Sequence, residues 1–592
     1  MNRILFFAHF DKYGKVLGNI YYLLRSARHS YDKIVFISNS PISDACFMKL
    51  ESCCDTIITR GNRGFDFGAW KEAIQKEGWD SLSQFDSVTL MNDSCIAPIY
   101  DLRDAYIKMG EAGVDFWGIT LWQSTKDGMP GTNGPIPEHI QSYFMCFNKS
   151  VIQAEAFQKF WKNVENKTDI IEVIQDYETQ LTALLSNAGF KYSCIYALCG
   201  GEHNQDALYR PDLILKNKIP FLKKKSLAAF PYPEHVIDLL KSETDYPVDL
   251  ISEWANETLG PNQSLRIHNK LIPAAPREGP HDSLSVAIHL HVYYMDIFES
   301  MIEHFEAVEI KLDLYITTDT ADKKERIRAL CLGRIIGAYL KDILVFENRG
   351  RDILPWLSIS DVLGGYDVVG KFHAKKAELN EEWQSETWLN DMLELLLVPA
   401  GGIVVEFAAD PKLGVVIPDL PTFMQVTPRW IVGSDFENAR KIDGLWKRMG
   451  CSKEVDFGSL DMAIAPFGSM LWYRPAALRS LFDAGLGAGD FPPEPIGRDF
   501  TMAHCVEHVP VYCAWNDGFD YRIATFSPPK VSGFVGHARL ATEAGAFNKN
   551  SKTYKAMILL HNIARETGMR FMLRALFAFR RKLRGTLRRK GK

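Results

Sequence analysis

The 592-residue sequence carries a net charge of −5 at pH 7, with 46% of it apolar and 24% charged. That length exceeds a single core, the composition excludes a disordered chain, and the mildly negative charge excludes a general attraction to nucleic acid. Eleven cysteines lie scattered without a C-x-x-C pair, which predicts reduced thiols in a cytosolic protein and no zinc site.

In chain order, "RILFFAHF" is a compact apolar run that predicts a buried parallel strand ending near His9. A helical pattern and a second strand, "YDKIVFISNS", complete a β-α-β opening. Ligands in such sheets bind beyond the carboxyl ends of strands, where His9, Ser38, Asn39 and Ser40 fall. The N-terminal run is too short for a signal peptide, and no stretch of 18 apolar residues predicts a membrane-spanning helix.

"GNRGFDFGAW", residues 61–70, follows the next strand. Gly61 and Gly64 allow positive φ and close approach to a ligand. Arg63 offers a planar fork suited to phosphate, and Asp66 either caps a helix or accepts from a ribose or base. "FDSVTLMNDS" is a strand ending in Asn92, Asp93 and Ser94. An acid there can hold Mg²⁺ or Mn²⁺ across a diphosphate, although Asn-Asp-Ser is also ordinary turn chemistry. "DYETQLTALLSNAGF" is a helix whose first turn carries Asp176 and Glu178. These acids suit the helix dipole or serve as a general base.

Residues 226–283 are Pro-rich and predict an irregular linker between a domain over 1–225 and a second, divergent one over 284–545. The pattern then restarts: a strand ending near His291, a helix, a strand, and "ENRGRDILPW" at 347–356. From His9 to Asn62 is 53 residues and from His291 to Asn348 is 57. The shared order predicts a duplicated pair of α/β domains. In the second copy "YDVVGKFHAKKAE" ends in Lys371, His373, Lys375 and Lys376 and has no acid at the place of Asp93. These cations can neutralise a diphosphate directly. Asp499 of "GRDFTMAH" is the second copy's candidate base, with Glu494 as a rival.

Residues 570–592 carry ten Lys/Arg and no acid behind an apolar run. With the rest of 546–592 they predict a helical basic tail lying on an anionic membrane face.

Together "NRGFDFGAW", "SVTLMNDSCIAP", "DFWGIT", "HIQSYFMCFNKSVI", "DYETQLTALLSNAGF", "NRGRDILPW", "YDVVGKFHAKKA", "GSMLWYRPAAL" and "GRDFTMAHCVEH" make the chain resemble the rhamnan synthesis F family of bacterial cell-surface polysaccharide enzymes. The resemblance covers about residues 1–225 and 284–520. It implies two tandem Rossmann-like nucleotide-sugar transferase domains of the glycosyltransferase A type. It also implies transfer of rhamnose from dTDP-rhamnose to a growing glycan, and the basic tail suits an acceptor carried on a polyprenyl diphosphate at the inner face of the cell membrane. Carried onto this sequence, it makes Asn62, Arg63, Gly64 and Asp66 the donor-binding loop, and His9, Asn39 and Asn92 join that donor-binding set from their places at strand ends. Asp93 becomes the acid for Mg²⁺ or Mn²⁺, and Glu178, or Asp176, the base. The second copy's donor set is Asn348, Arg349, Gly350, Asp352, Lys371, His373 and Lys375. The metal motif departs from the family's pattern of two acids flanking one residue. Two alternatives stay open: both domains transfer sugar, or the chain is a non-catalytic glycan-binding assembly protein.

Overall fold

The computed structural model describes residues 2–534, apart from 127–133, 202–205, 230–232, 268, 276–282, 375–381, 423–435, 461, 495–500 and 527–533. The chain divides into two compact units. The first is Met1–Thr258 with Arg266–His268; the second is Leu259–Leu265 with the described residues from Asn269 onward. The basic tail lies outside the described residues. Among the described residues no single helix is long and apolar enough to cross a membrane. All eleven cysteines are unpaired thiols, and none is fully exposed.

The first unit is built on β1 (Arg3–His9), whose residues Ile4–Ala8 are at most 2% exposed. Because successive side chains point to opposite faces, both faces of this strand are buried, and its sequence is continuously apolar for that reason. Parallel strands flank it: β2 (Lys33–Ser38) with β3 (Thr56–Thr59) beyond, and β4 (Ser87–Asn92) on the other side. The sheet continues through β5 (Phe116–Gly118), β6 (Phe144–Asn148) and β7 (Tyr192–Cys194). Strand β6 is antiparallel to both β4 and β5, and the spatial order is β7-β5-β6-β4-β1-β2-β3. Helix α1 (Phe65–Glu77) carries the repeated loop into the core through Trp70, and helix α2 (Thr179–Asn187) precedes β7.

The stretch expected to be an irregular linker is largely helical instead. Helices α3 (Pro233–Glu243) and α4 (Asp249–Thr258) belong to the first unit. Val236 with Leu240, and Ile251 with Trp254 and Ala255, recur at helical spacing and are buried. That apolar stripe overrides the prolines, which sit at helix starts where no backbone donor is lost.

The second unit repeats the topology. Its strands are β8 (Leu271–Pro273), β9 (Val286–Val292), β10 (Asp313–Thr318), β11 (Leu340–Val345), β12 (Val368–Ala374), β13 (Leu413–Pro418), β14 (Leu471–Tyr473) and β15 (Asp520–Thr525). They lie in the order β8-β15-β13-β14-β12-β9-β10-β11. Apart from the added edge strand β8, each strand has its counterpart at the same place, and β14, like β6, is antiparallel to both neighbours. The chain is therefore a duplicated α/β protein. Along the strands Val369, Val415 and Tyr473 face one core and Val368, Val416 and Trp472 the other, so this sheet too is covered on both faces. Helices α5 (Ile353–Ser358) and α6 (Met502–His508) stand where the loop and base of the second copy are expected.

Candidate functional site

The repeated loop owes its shape to two consecutive left-handed residues. Gly64 has φ 72° and Phe65 φ 52°; in the second unit Gly350 has φ 68° and Arg351 φ 54°. Only glycine takes that conformation without cost. Space also demands it, since a Cβ on Gly64 would lie 2.7 Å from Asn166 Oδ1 and 3.1 Å from Gly68 Cα. Arg60 clamps the first loop. Its guanidinium donates to Asn39 Oδ1 at 2.6 Å, to the Arg63 carbonyl at 2.8 Å and to Glu72 at 2.8 Å. Asn39 in turn donates to the Phe65 carbonyl at 3.0 Å. Asn39 thus braces the loop, while the side chains of Asn62 and Arg63 are exposed.

The loop delivers Asp66 to the first turn of α1. Its Oδ1 accepts the Phe67 N–H at 3.0 Å and its Oδ2 accepts Asn92 Nδ2 at 3.0 Å. Glu178 arrives from the other side, at the end of a single π turn over Ile174–Glu178 that leads into α2. One extra residue in that turn re-aims the side chain, a common device at functional sites. Glu178 Oε1 accepts the N–H of Ser142, just before β6, at 2.9 Å. Burial, and then the charge of Glu178, push the Asp66 carboxyl up to about 6. Asp66, Asn92 and Glu178 are therefore one cluster. Asp176 is exposed and pairs with Lys167 Nζ at 3.2 Å, so the structure separates the two acids that the sequence left equivalent.

At the neighbouring strand ends, His9 Nδ1 and Ser38 Oγ are 3.2 Å apart, and burial holds the imidazole below its ordinary pKa. Asp93 Oδ2 accepts the Phe10 N–H at 3.1 Å. Beside it stands Lys224, which nothing in the sequence marked. Leu222 and Lys223 pair antiparallel with Ile96 and Cys95, and the Lys224 N–H donates to the Ser94 carbonyl at 3.0 Å. Burial pulls the Lys224 ammonium down while Asp93 and Asp11 hold it up. Among the described residues no three His, Cys, Asp or Glu side chains converge as a metal site. Asp93 and Asp11 flanking an ammonium, without a third donor among the described residues, do not fit a resident divalent ion.

The second unit keeps part of this plan. His291 Nδ1 lies 2.9 Å from Thr317 Oγ1, matching His9 and Ser38, and burial pushes His291 down to about 4. Ala8 faces Asn92 across the first sheet and His291 faces His373 across the second, so Asp93 and His373 hold equivalent places. His373 Nε2 donates to the Gly468 carbonyl at 2.5 Å. Asn348 donates to Tyr293 Oη at 3.3 Å and Arg349 to the Phe491 carbonyl at 2.8 Å, so both are engaged within the fold. Asp352 is 2% exposed and accepts from Lys371 Nζ at 2.6 Å and Ser469 Oγ at 2.5 Å. Lys371 is fully buried, so its charge serves Asp352 and does not reach the strand edge as expected. Glu494 lies 3.6 Å from Arg351. Lys375 and Asp499 lie outside the described residues.

The residue that occupies the place of Glu178 is Glu507, in α6. Its Oε1 accepts the Gly468 N–H, just before β14, at 2.7 Å. Glu178 precedes β7 by 14 residues and Glu507 precedes β15 by 13. The sequence signal that marks Glu507 is this distance to the following strand, not proximity to "GRDF".

A family model described as Rhamnan synthesis protein F matches residues 34–519. The uncharacterized protein WxcX of Xanthomonas campestris pv. campestris strain B100 is 34% identical over 229 residues, which is 38% of this chain and 30% of that protein. The chain thus spans about a third of the length of that relative. Two solved structures are distantly similar. Glycosyltransferase GlyE of Streptococcus pneumoniae TIGR4 has 15% identity and a TM-score of 0.23, over 62% of this chain and 84% of that one. S. aureus TarS 1-349 has 11% identity and a TM-score of 0.24, over 48% and 72%.

Proposed function

The chain belongs to the rhamnan synthesis protein F family, and from that premise we propose that it is a glycosyltransferase of cell-surface polysaccharide synthesis whose first unit performs the transfer. The observation that carries this reading is the half-buried Asp66–Glu178 pair, set at the carboxyl edge of a parallel sheet where α/β proteins bind ligands. The donor is a sugar nucleotide, with dTDP-rhamnose the first choice, and the acceptor is a glycan on a polyprenyl diphosphate at the inner membrane face. The Glu178 carboxylate takes the proton of the acceptor hydroxyl as its oxygen bonds the anomeric carbon. The bond from that carbon to the nucleoside diphosphate breaks on the opposite side, and the configuration inverts. Asp66, held by Asn92, stands beside Glu178 and completes the acidic face that the donor sugar meets. In this reading the exposed Asn62 and Arg63 meet the nucleotide's phosphates and sugar.

Glu507 supports a second reading, in which the second unit also transfers a sugar from the equivalent place. Under that reading Glu178→Gln and Glu507→Gln stop the glycan at different lengths.

Ligand-dependent melting tests the main reading, because a molecule that binds only the folded state raises its melting temperature. dTDP-rhamnose at a hundredfold excess over its Kd should stabilise the protein by about 2.7 kcal/mol. A chain whose melting no sugar nucleotide shifts, with or without Mg²⁺, is not a transferase.

A further inference from the structure

We propose that Lys224 is the cation that neutralises the donor's diphosphate in the first unit, standing where a divalent metal would otherwise be needed. The inference rests on the transferase reading above and adds to it the residue that receives the leaving group.

Its position is set by backbone pairing. The chain from Pro220 to Lys224 runs back along the segment that follows Asp93: the Ile99 N–H donates to the Pro220 carbonyl at 2.9 Å, Leu222 and Lys223 form the antiparallel ladder, and the Lys224 N–H closes it on Ser94. Residue 224 is thereby fixed one position beyond Asp93 at the carboxyl edge. Two aromatic rings steady the pair of lysines. Lys223 Nζ sits 4.7 Å over Tyr143, and Lys224 Nζ lies 5.8 Å from the ring of Trp254, which α4 supplies. The neighbouring Lys225 is exposed, whereas Lys224 is half-buried.

The electrostatics fit the role. Burial draws the Lys224 ammonium below its ordinary pKa, and the negative charges of Asp93 and Asp11 oppose that fall. His9, which lies within its field, is itself kept neutral by burial. An ammonium in a partly dry setting interacts with phosphate far more strongly than one in water. As the anomeric bond breaks, its electron pair passes to the diphosphate oxygen, and a fixed cation stabilises that growing charge without giving up a proton. Asp93 then orients Lys224; it does not ligate an ion.

Calorimetric titration with dTDP and dTMP, in EDTA and again in Mg²⁺, tests this on the wild type, Lys224→Met, Lys224→Arg and the surface control Lys225→Met. The wild type should bind dTDP in EDTA. Lys224→Met should lose about tenfold or more for dTDP, the worth of one charge-assisted hydrogen bond, with dTMP changed less than about twofold. Lys224→Arg should retain most of the affinity, and Lys225→Met all of it. Wild-type binding of dTDP that requires Mg²⁺ overturns the inference, and this arm needs no variant to fold. Unchanged dTDP affinity in Lys224→Met overturns it too, while leaving the transferase reading intact. A wild type that binds none of dTDP, UDP or GDP overturns both.

Discussion

Asp66→Asn should make the protein more stable, and the gain should depend on pH. The folded state raises this carboxyl from 3.8 to about 6, through burial and the charge of Glu178. Between those values the folded chain binds the proton more tightly than the unfolded one, so stability falls as pH rises through that window. At about 1.4 kcal/mol per unit, the full penalty above pH 6 is about 3 kcal/mol, and the half-buried position of Asp66 makes that an upper bound. The substitution removes the charge and keeps one oxygen to accept from Asn92, while its amide loses the bond from the Phe67 N–H, which trims the gain by about 1 kcal/mol. Most of the penalty's pH dependence lies in the acid limb, so the advantage of Asp66→Asn should grow by about 1–1.5 kcal/mol between pH 5 and pH 8. Urea unfolding of both proteins at the two pH values measures this, and turnover should fall as stability rises. A variant less stable than the wild type at pH 8, or one whose advantage ignores pH, would refute the raised Asp66 carboxyl.

Gly64→Ala and Gly350→Ala should each cost about 1–3 kcal/mol in urea unfolding, since both positions combine a left-handed backbone with a blocked Cβ. Lys371→Met should cost about 3–5 kcal/mol by leaving Asp352 buried and uncompensated. Combining it with Asp352→Asn should restore much of the loss, and full additivity of the two would contradict the ion pair. Asp176→Asn should leave transfer rates near the wild type, because that acid faces Lys167 in solvent; a large loss would move the base from residue 178 to 176.

The duplication was legible because it lives in backbone demands. Two left-handed residues require a glycine at the same place in both copies, and both Trp70 and Trp356 anchor the following helix in the core. The strands were legible because double burial leaves an unbroken apolar run, as in β1. What stayed hidden depends on distance. Lys224 meets Asp93 across some 130 residues of chain, through a two-residue ladder with no composition of its own. Glu178 and Asp176 look alike in sequence, and only the π turn separates them. Lys371 reads as an exposed strand-end cation until Asp352 and Ser469 are seen to enclose it. Residues 226–283 read as a linker because prolines are conspicuous, whereas the apolar stripes of α3 and α4 are short.

The most direct test of a catalytic first unit is the rate of nucleotide release from dTDP-rhamnose by the purified full chain with a lipid-linked glycan acceptor, compared between the wild type and Glu178→Gln. Acceptor-dependent release that drops by about 10²–10⁴ in the variant, with donor affinity kept, is the predicted result. Full release by Glu178→Gln would contradict the account.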